Sequence, residues 1–335
     1  MELKVALVGV GSMGGAHFFN WQNIENVKII ALCDIRPEQI LDKGIAKTYT
    51  DFYEMLNKEQ PDIIDICTPS YLHKEMSVAA MEMGFNVVCE KPAALNSKDI
   101  SEMLAVAERN NVTFMVAQVL RFWHEYNVLR DIYNHQRYGK LVSANLWRHS
   151  GAPFWDWENW MSNQDRSGLV PFDLHIHDLD YCVSLLGLPD DVSAVRTSRF
   201  EDTARKKNLI DEYKAIYTFG DIKISMDAAW YNRSFAFDFG FTFVFEQAIV
   251  ENKNGSMIIY PNDKTEGIPV EEEKSSAEVA ANLNSTNGYY NELKYFAEQV
   301  RSGVKGSLIA GDELIGVLKT IEKGLKQTDC NIGKQ

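Results

Sequence analysis

Near its start the chain carries Gly9-Val10-Gly11-Ser12-Met13-Gly14, the GxGxxG spacing of a phosphate-gripping turn. Alone the pattern is weak, but here it follows an apolar run and opens a helical one. The first glycine then permits a tight turn, the second lets backbone approach a pyrophosphate, and the third lets helix pack closely on strand. The helix that follows points unsatisfied N–H groups at the phosphates. Ser12 and Met13 belong to the same loop and are expected beside the nucleotide. Asp34 closes a second apolar run twenty positions after Gly14. A carboxylate there accepts hydrogen bonds from ribose hydroxyls and repels a 2′-phosphate, which favours NAD over NADP. Arg36 can pair with such a phosphate or stack on adenine, so NADP stays open.

A second constellation lies mid-chain, in Asp173-Leu174-His175-Ile176-His177-Asp178-Leu179-Asp180. On a helix Asp173 and His177 are i and i+4 and share a face, which Asp180 continues at i+7, while His175 points elsewhere. A carboxylate beside an imidazole orients the ring and raises its basicity, which suits a general base near neutral pH. A solvated or structurally paired histidine fits the same residues equally well. A metal site built from Asp173, His175 and His177 is a further alternative, though the spacing matches no standard zinc pattern. Lys91 is an ordinary surface lysine by type. It follows the apolar run Asn86–Cys89 at the carboxyl end of an expected parallel strand, where open α/β sheets place ligand contacts.

The elements that must position these residues are legible as period and composition. Lys4–Gly9, Val27–Asp34, Ile63–Thr68, Asn86–Glu90 and Val112–Gln118 are short, β-branched and nearly all apolar, as expected of strands covered on both faces. Between them Gly14–Trp21, Pro37–Lys43, Asp51–Asn57, Tyr71–Gly84 and Ser97–Asn110 read as helices, with Pro37 in a first turn, Gly84 after a last turn and Ser97 as an N-cap. The alternation predicts a doubly wound α/β domain over residues 1–120. The pattern then changes to a helix at His124–His135, a strand at Leu141–Trp147, an aromatic loop at Ser150–Val170 and a helix at Asp173–Leu186 stopped by Gly187. Strands follow at Val192–Ser198, Asp211–Phe219, Ile222–Trp230 and Phe239–Glu246, then a polar loop over 262–286 and helices at Gly288–Arg301 and Gly311–Gln327. Residues 121–335 thus predict an α+β domain on a large open, mostly antiparallel sheet, with the last helices able to pack back on the first domain. The fold class is α/β, a Rossmann dinucleotide-binding domain followed by that second domain.

With Thr68-Pro69-Ser70-Tyr71-Leu72-His73 and Glu90-Lys91-Pro92, the first domain resembles the Gfo/Idh/MocA family of sugar and cyclitol dehydrogenases. Ser167-Gly168-Leu169-Val170-Pro171-Phe172-Asp173-Leu174-His175-Ile176-His177-Asp178-Leu179-Asp180 is similar to the family's GG-x-L-x-D-x-x-x-H-x-x-D segment, with Ser167, Pro171, Phe172 and His175 as departures. Four separated motifs agree across nearly the whole chain. The resemblance implies metal-free hydride transfer between a secondary alcohol and NAD, with His177 as base, Lys91 steadying the same oxygen and Asp173 orienting substrate or base. It implies that Thr68, Pro69, His73 and Glu90 line the cofactor site, that Pro92 shapes the backbone, and that Arg121 lies near the domain junction. Trp147, Arg148, His149, Phe154, Trp155, Trp157 and Trp160 crowd the strand and loop before the mid-chain segment. Aromatic rings suit the apolar faces of sugars, and equally pack a loop onto its domain; Trp155, Trp157 and Arg121 are the substrate candidates beside Lys91, Asp173 and His177.

The 335 residues carry a net charge of −13, with 45% hydrophobic and 24% charged side chains, which describes a globular chain without the basic stripe of a nucleic-acid binder. No apolar run reaches membrane-spanning length, and the start runs straight into a strand with no room for a signal peptide, so a cytoplasmic protein is expected. Cys33, Cys67, Cys89, Cys182 and Cys330 form no CxxC pair; the first three end apolar runs and read as buried reduced thiols. The open sheet predicts a homo-oligomer. Rival readings are an NAD(H)-responsive regulator of the same fold, an enzyme that uses NAD transiently in glycoside cleavage, and an NADP-dependent reductase.

Overall fold

The computed structural model describes residues 2–41, 43–45, 47–153, 156–203, 206–232, 234–271 and 287–332. Two compact units divide the chain: Met1–Phe122 with Ser275–Ile315, and Trp123–Lys274 with Gly316–Gln335.

The first unit runs β1 (Leu3–Val8), α1 (Ser12–Asn23), β2 (Val27–Cys33), α2 (Pro37–Ile40), β3 (Thr48–Tyr49), α3 (Phe52–Lys58), β4 (Ile63–Ile66), α4 (Ser70–Glu82), β5 (Asn86–Glu90), α5 (Ser97–Arg109) and β6 (Thr113–Ala117). β4 and β6 are buried at every position, as strands covered on both faces must be. Helix α2 stops at Ile40, short of the expected Lys43. The N-cap of α5 is Asn96, whose side chain accepts from the Asp99 N–H; Ser97 is the first helical residue instead. Gly84, at φ +87°, ends the Ser70–Glu82 helix as expected.

The second unit begins with α6 (His124–Asn134) and β7 (Leu141–Gly151), which runs past the expected Trp147. The loop beyond holds a turn at Trp157–Asn159 and α7 (Gln164–Ser167). Pro171–His175 forms a π-helical turn that leads into α8 (Ile176–Leu186), so the expected single helix is two elements. Then come β8 (Asp191–Thr203), β9 (Lys206–Phe219), β10 (Ile222–Tyr231), β11 (Asp238–Phe245), β12 (Ala248–Lys253), β13 (Ser256–Pro261) and β14 (Ile268–Pro269). The pair β12 and β13 was not expected. It closes on Asn254-Gly255, both at positive φ, the backbone of a tight hairpin. The eight strands lie in the order β14-β13-β12-β11-β7-β10-β9-β8, antiparallel except where β10 runs parallel to β7. One sheet face is filled by Tyr213, Tyr217, Met226, Trp230, Phe241 and Phe243. The expected loop over 262–286 has β14 within it, and its residues 272–286 lie outside the described residues.

Three last elements follow: α9 (Gly288–Ser302), β15 (Gly306–Ser307) and α10 (Gly311–Ile332). α9 and β15 belong to the first unit, where Leu293, Phe296 and Ala297 of α9 join the core of Val5, Leu7, Trp21 and Ile63. The first sheet is therefore seven-stranded and parallel, in the order β15-β6-β5-β4-β1-β2-β3.

Candidate functional site

The order in which strands are added reverses between β1 and β4, and the motif residues of the first unit gather there. Gly9 leaves β1 at φ +81°, and a Cβ on it would lie 2.7 Å from the Cys67 carbonyl. A Cβ on Gly14 would fall 1.8 Å from the Gly9 oxygen. Both positions need glycine for close backbone contact. A Cβ on Gly11, by contrast, would meet only the Arg36 guanidinium at 3.3 Å, so this glycine keeps the outer side of the turn open. The turn delivers its chain into the N-terminus of α1, with Ser12 exposed and Met13 half-buried. Such a terminus presents N–H groups suited to an anion.

Asp34 follows β2, is 6% exposed, and is held on both oxygens. Oδ2 accepts the Val10 N–H at 2.8 Å; Oδ1 accepts the Arg36 N–H at 2.9 Å and Nε at 3.4 Å. The carboxylate thus ties the glycine turn to Arg36, a linkage that spacing alone does not reveal. Thr68 and Pro69 are half-buried after β4. His73 is buried between two carbonyl oxygens, with Nδ1 2.9 Å from Pro92 O and Nε2 2.6 Å from Thr68 O. Burial pushes its pKa below the usual histidine value against the pull of the two carbonyls, and the ring spans the Thr68 loop and the Lys91–Pro92 peptide, which is cis. Glu90, 6% exposed, accepts the Lys91 N–H on Oε2 at 2.9 Å, and Lys91 itself is half-buried. Arg121 pairs with Glu313 at 2.8 Å within the same unit.

The second unit holds the other candidates. From Ser167 to Val183 only Asp173 and His177 are not fully buried. The π-turn changes the register, but these two still share the open side. Asp180, 1% exposed, does not continue that face as the helical spacing predicted. Asp178, next to His177, is buried too and takes Arg148 in a two-point ion pair at 2.8 and 3.2 Å, with Tyr126 on the same guanidinium. Burial pushes the Asp178 carboxyl up, against the pull of Arg148. Arg148, grouped from sequence with the aromatic stretch before the segment, is therefore part of the frame under it. Ser167 replaces a family glycine and uses its hydroxyl: it donates to Met161 O at 2.6 Å and accepts the Leu169 N–H at 2.9 Å. Gly168, at φ +72°, lies where a Cβ would strike Phe172 at 2.4 Å, so Phe172, another departure, packs directly on the turn. The extra His175 is buried with Nε2 2.6 Å from the Tyr217 hydroxyl, and burial drives its pKa to about 3. Trp157 is half-buried in the 3₁₀ turn, while Phe154 and Trp155 lie outside the described residues.

Comparison with known proteins decides the lineage. Residues 3–118 match the oxidoreductase family with an NAD-binding Rossmann fold, and residues 126–251 match the GFO/IDH/MocA C-terminal domain. The chain belongs to the Gfo/Idh/MocA family. Among curated members, a 2,7-anhydro-N-acetylneuraminate hydratase of Mediterraneibacter gnavus is 31% identical over 195 residues, 56% of this chain and 50% of that protein. A D-glucoside 3-dehydrogenase of Escherichia coli is 28% identical over 214 residues, 62% of this chain and 60% of that protein. The chain thus spans between half and six-tenths of these relatives' length. Among solved structures, levoglucosan dehydrogenase with NADH and levoglucosan superposes with a TM-score of 0.82 at 17% identity, covering 98% of each chain. An oxidoreductase from Agrobacterium radiobacter with NAD+, L-tartaric acid and magnesium gives 0.82 at 16% identity, over 99% of this chain and 97% of that one. At that identity the likeness shows the Gfo/Idh/MocA fold.

Two polar residues of the first unit were missed from sequence: His17 and Asp65. Asp65 carried a readable signal, a lone acid in the otherwise apolar strand Ile63–Ile66, because a buried carboxylate must find partners. Among the described residues, the one group with metal-ligand geometry is His17, Asp65 and Cys67, whose ligand atoms lie within 4.8 Å of one another. Asp173, His175 and His177 form no such group. Cys33 and Cys89 are buried free thiols, whereas Cys67 is half-buried. No helix among the described residues is long and apolar enough to cross a membrane.

Proposed function

We propose that this protein transfers a hydride between a secondary alcohol of a sugar, cyclitol or glycoside and NAD, with Lys91, Asp173 and His177 as its catalytic residues. The observation that carries the reading is the convergence of Asp34, Gly9, Thr68 and Glu90-Lys91 after four neighbouring parallel strands, β2, β1, β4 and β5. These flank the point where strand order reverses, the ligand-binding place of open α/β sheets. Gly9 and Gly14 admit no side chain, Gly11 stays open, and α1 presents its N-terminus, all of which fit a pyrophosphate. Ser12, Met13, Arg36, Thr68, Pro69, His73, Glu90 and Lys91 complete the residues assigned to the cofactor. When bound, NAD supplies the hydride acceptor. His177 takes the hydroxyl proton, Lys91 donates a hydrogen bond to the same oxygen as its charge develops, and Asp173 orients substrate or base. Asp173 and His177 suit these roles because they alone in their segment reach outward.

Lys91→Ala tests the assignment: turnover in an NADH-forming screen of inositols, hexoses, amino sugars, sugar acids and glycosides should vanish while NAD binding persists. Full activity in that variant overturns it. A second reading, favoured by the hydratase relative, oxidises and re-reduces the substrate within one turnover. Substrate loss without net NADH supports that reading over the first. The open face of the second sheet exposes Val195, Ile216, Ile249 and Tyr260, which supports a homo-oligomer formed there.

A further inference from the structure

His17 stands three residues past the last glycine of the turn, on α1, and is wholly buried. Both ring nitrogens face carboxylates: Nδ1 lies 2.8 Å from Asp65 Oδ2 and Nε2 lies 3.1 Å from Glu90 Oε1. A neutral imidazole has a single N–H and would set a lone pair against one of these oxygens. The arrangement therefore calls for an imidazolium, unless a carboxyl takes the proton. The carboxylates already collect donors. Asp65 Oδ2 accepts Trp21 Nε1–H at 2.6 Å, Asp65 Oδ1 accepts the Cys67 thiol at 3.4 Å, and Glu90 Oε2 accepts the Lys91 N–H at 2.9 Å. Burial by itself depresses the ring's pKa, but the charge and hydrogen bond of Asp65, with Cys67, hold it well above the usual histidine value. From α9 the ring meets Tyr289, centroids 6.1 Å apart, with the buried Glu292 one turn further along.

We propose that His17 is a positioning residue, an imidazolium clamp that joins the nucleotide-turn helix to Glu90 and, through Glu90, sets the backbone of Lys91. The proposal rests on the reading of Lys91 given above. Three sheet-linked parts meet at this ring: α1, which the glycine turn opens; β4, through Asp65; and β5, through Glu90. Without the clamp Glu90 loses its charged partner inside the fold, and the bond that orients the Lys91 N–H loses its support.

Two measurements test it. In protein carrying ¹⁵N-histidine, both His17 ring nitrogens should keep the protonated shift at pH 8, and Glu90→Gln should lower the pH at which that signal titrates. A neutral His17 tautomer at pH 8 overturns the clamp, as does stoichiometric zinc in the purified protein, which would make His17, Asp65 and Cys67 metal ligands. The second is a cycle of His17→Gln, Glu90→Gln and the double variant. Each single change should lower kcat roughly tenfold or more, with a smaller effect on the KM for NAD. The double should be no worse than the poorer single, because one residue acts through the other. Multiplying losses overturn the coupling. The NMR arm needs neither turnover nor a folded His17 variant, so failure of the clamp and failure of the proposed reaction give different results.

Discussion

Buried His175 makes the second unit sensitive to acid in a way that can be worked out. Its ring is 1% exposed, its Nε2 meets the Tyr217 hydroxyl, and its Nδ1 has no hydrogen-bond partner among the described residues. A proton added at Nδ1 would be a charged donor with nowhere to point, which is why burial lowers the pKa from 6.5 to about 3. The sign follows from proton binding. Between those two values the unfolded chain binds more protons than the fold, so stability is intact above about pH 6.5 and is lost as pH falls. For one group with this shift the loss between pH 7 and pH 5 is about 2 kcal/mol. His17 acts in the opposite sense: its raised pKa gives stability that is full below the unfolded value and declines as pH rises through the folded one. A comparison with His175→Gln isolates the first effect, because glutamine can still meet the Tyr217 hydroxyl but does not titrate. Urea unfolding followed by tryptophan fluorescence should show the wild-type chain losing about 2 kcal/mol more than the variant between pH 7 and pH 5. A gap between the two proteins that changes by less than about 0.5 kcal/mol refutes the reasoning.

Four other outcomes follow from contacts already described. Gly14→Ala should abolish NAD binding, read by fluorescence titration, because its Cβ would fall 1.8 Å from the Gly9 oxygen. Gly11→Ala should fold with an unchanged melting temperature, since its Cβ would meet only the end of a flexible arginine, yet bind NAD more weakly. Asp34→Ser removes the carboxylate that holds Arg36 and should move the ratio of KM values toward NADP. Arg148→Met leaves Asp178 as an unpaired buried charge and should cost about 3–5 kcal/mol in chemical denaturation.

Local order decided what could be seen before the fold was known. The glycine turn, the apolar strands and the helix ends declare themselves within a few residues, and they came through nearly intact. The N-cap of α5 was misplaced by one because Asn96 and Ser97 are both good caps, and only geometry shows which side chain reaches Asp99. The hairpin of β12 and β13 carried a readable Asn254-Gly255 turn between alternating strands, but it was lost beside the polar stretch that follows. Asp180 was assigned to the open face by a regular helical period, but it lies among the buried residues of α8. His17 was hidden for a different reason: its partners lie 48 and 73 positions away, and no local pattern announces such a meeting. Arg148 and Asp178, 30 positions apart, were hidden in the same way.

The central place of β7 bears on how the chain is made. Its two neighbours, β10 and β11, are both younger in the order of synthesis, and Ser143 pairs with Lys223. At a ribosome speed of 5–20 residues per second, about 4–16 seconds pass between the emergence of these partners. Throughout that interval β7 has an unpaired edge on each side, while the later hairpin of β8 and β9 can close as soon as it appears. The first unit waits longer still, because α9 and β15 supply part of its core and one sheet edge from beyond residue 287. Slowing translation across residues 223–307 should therefore raise the aggregated fraction of nascent chains.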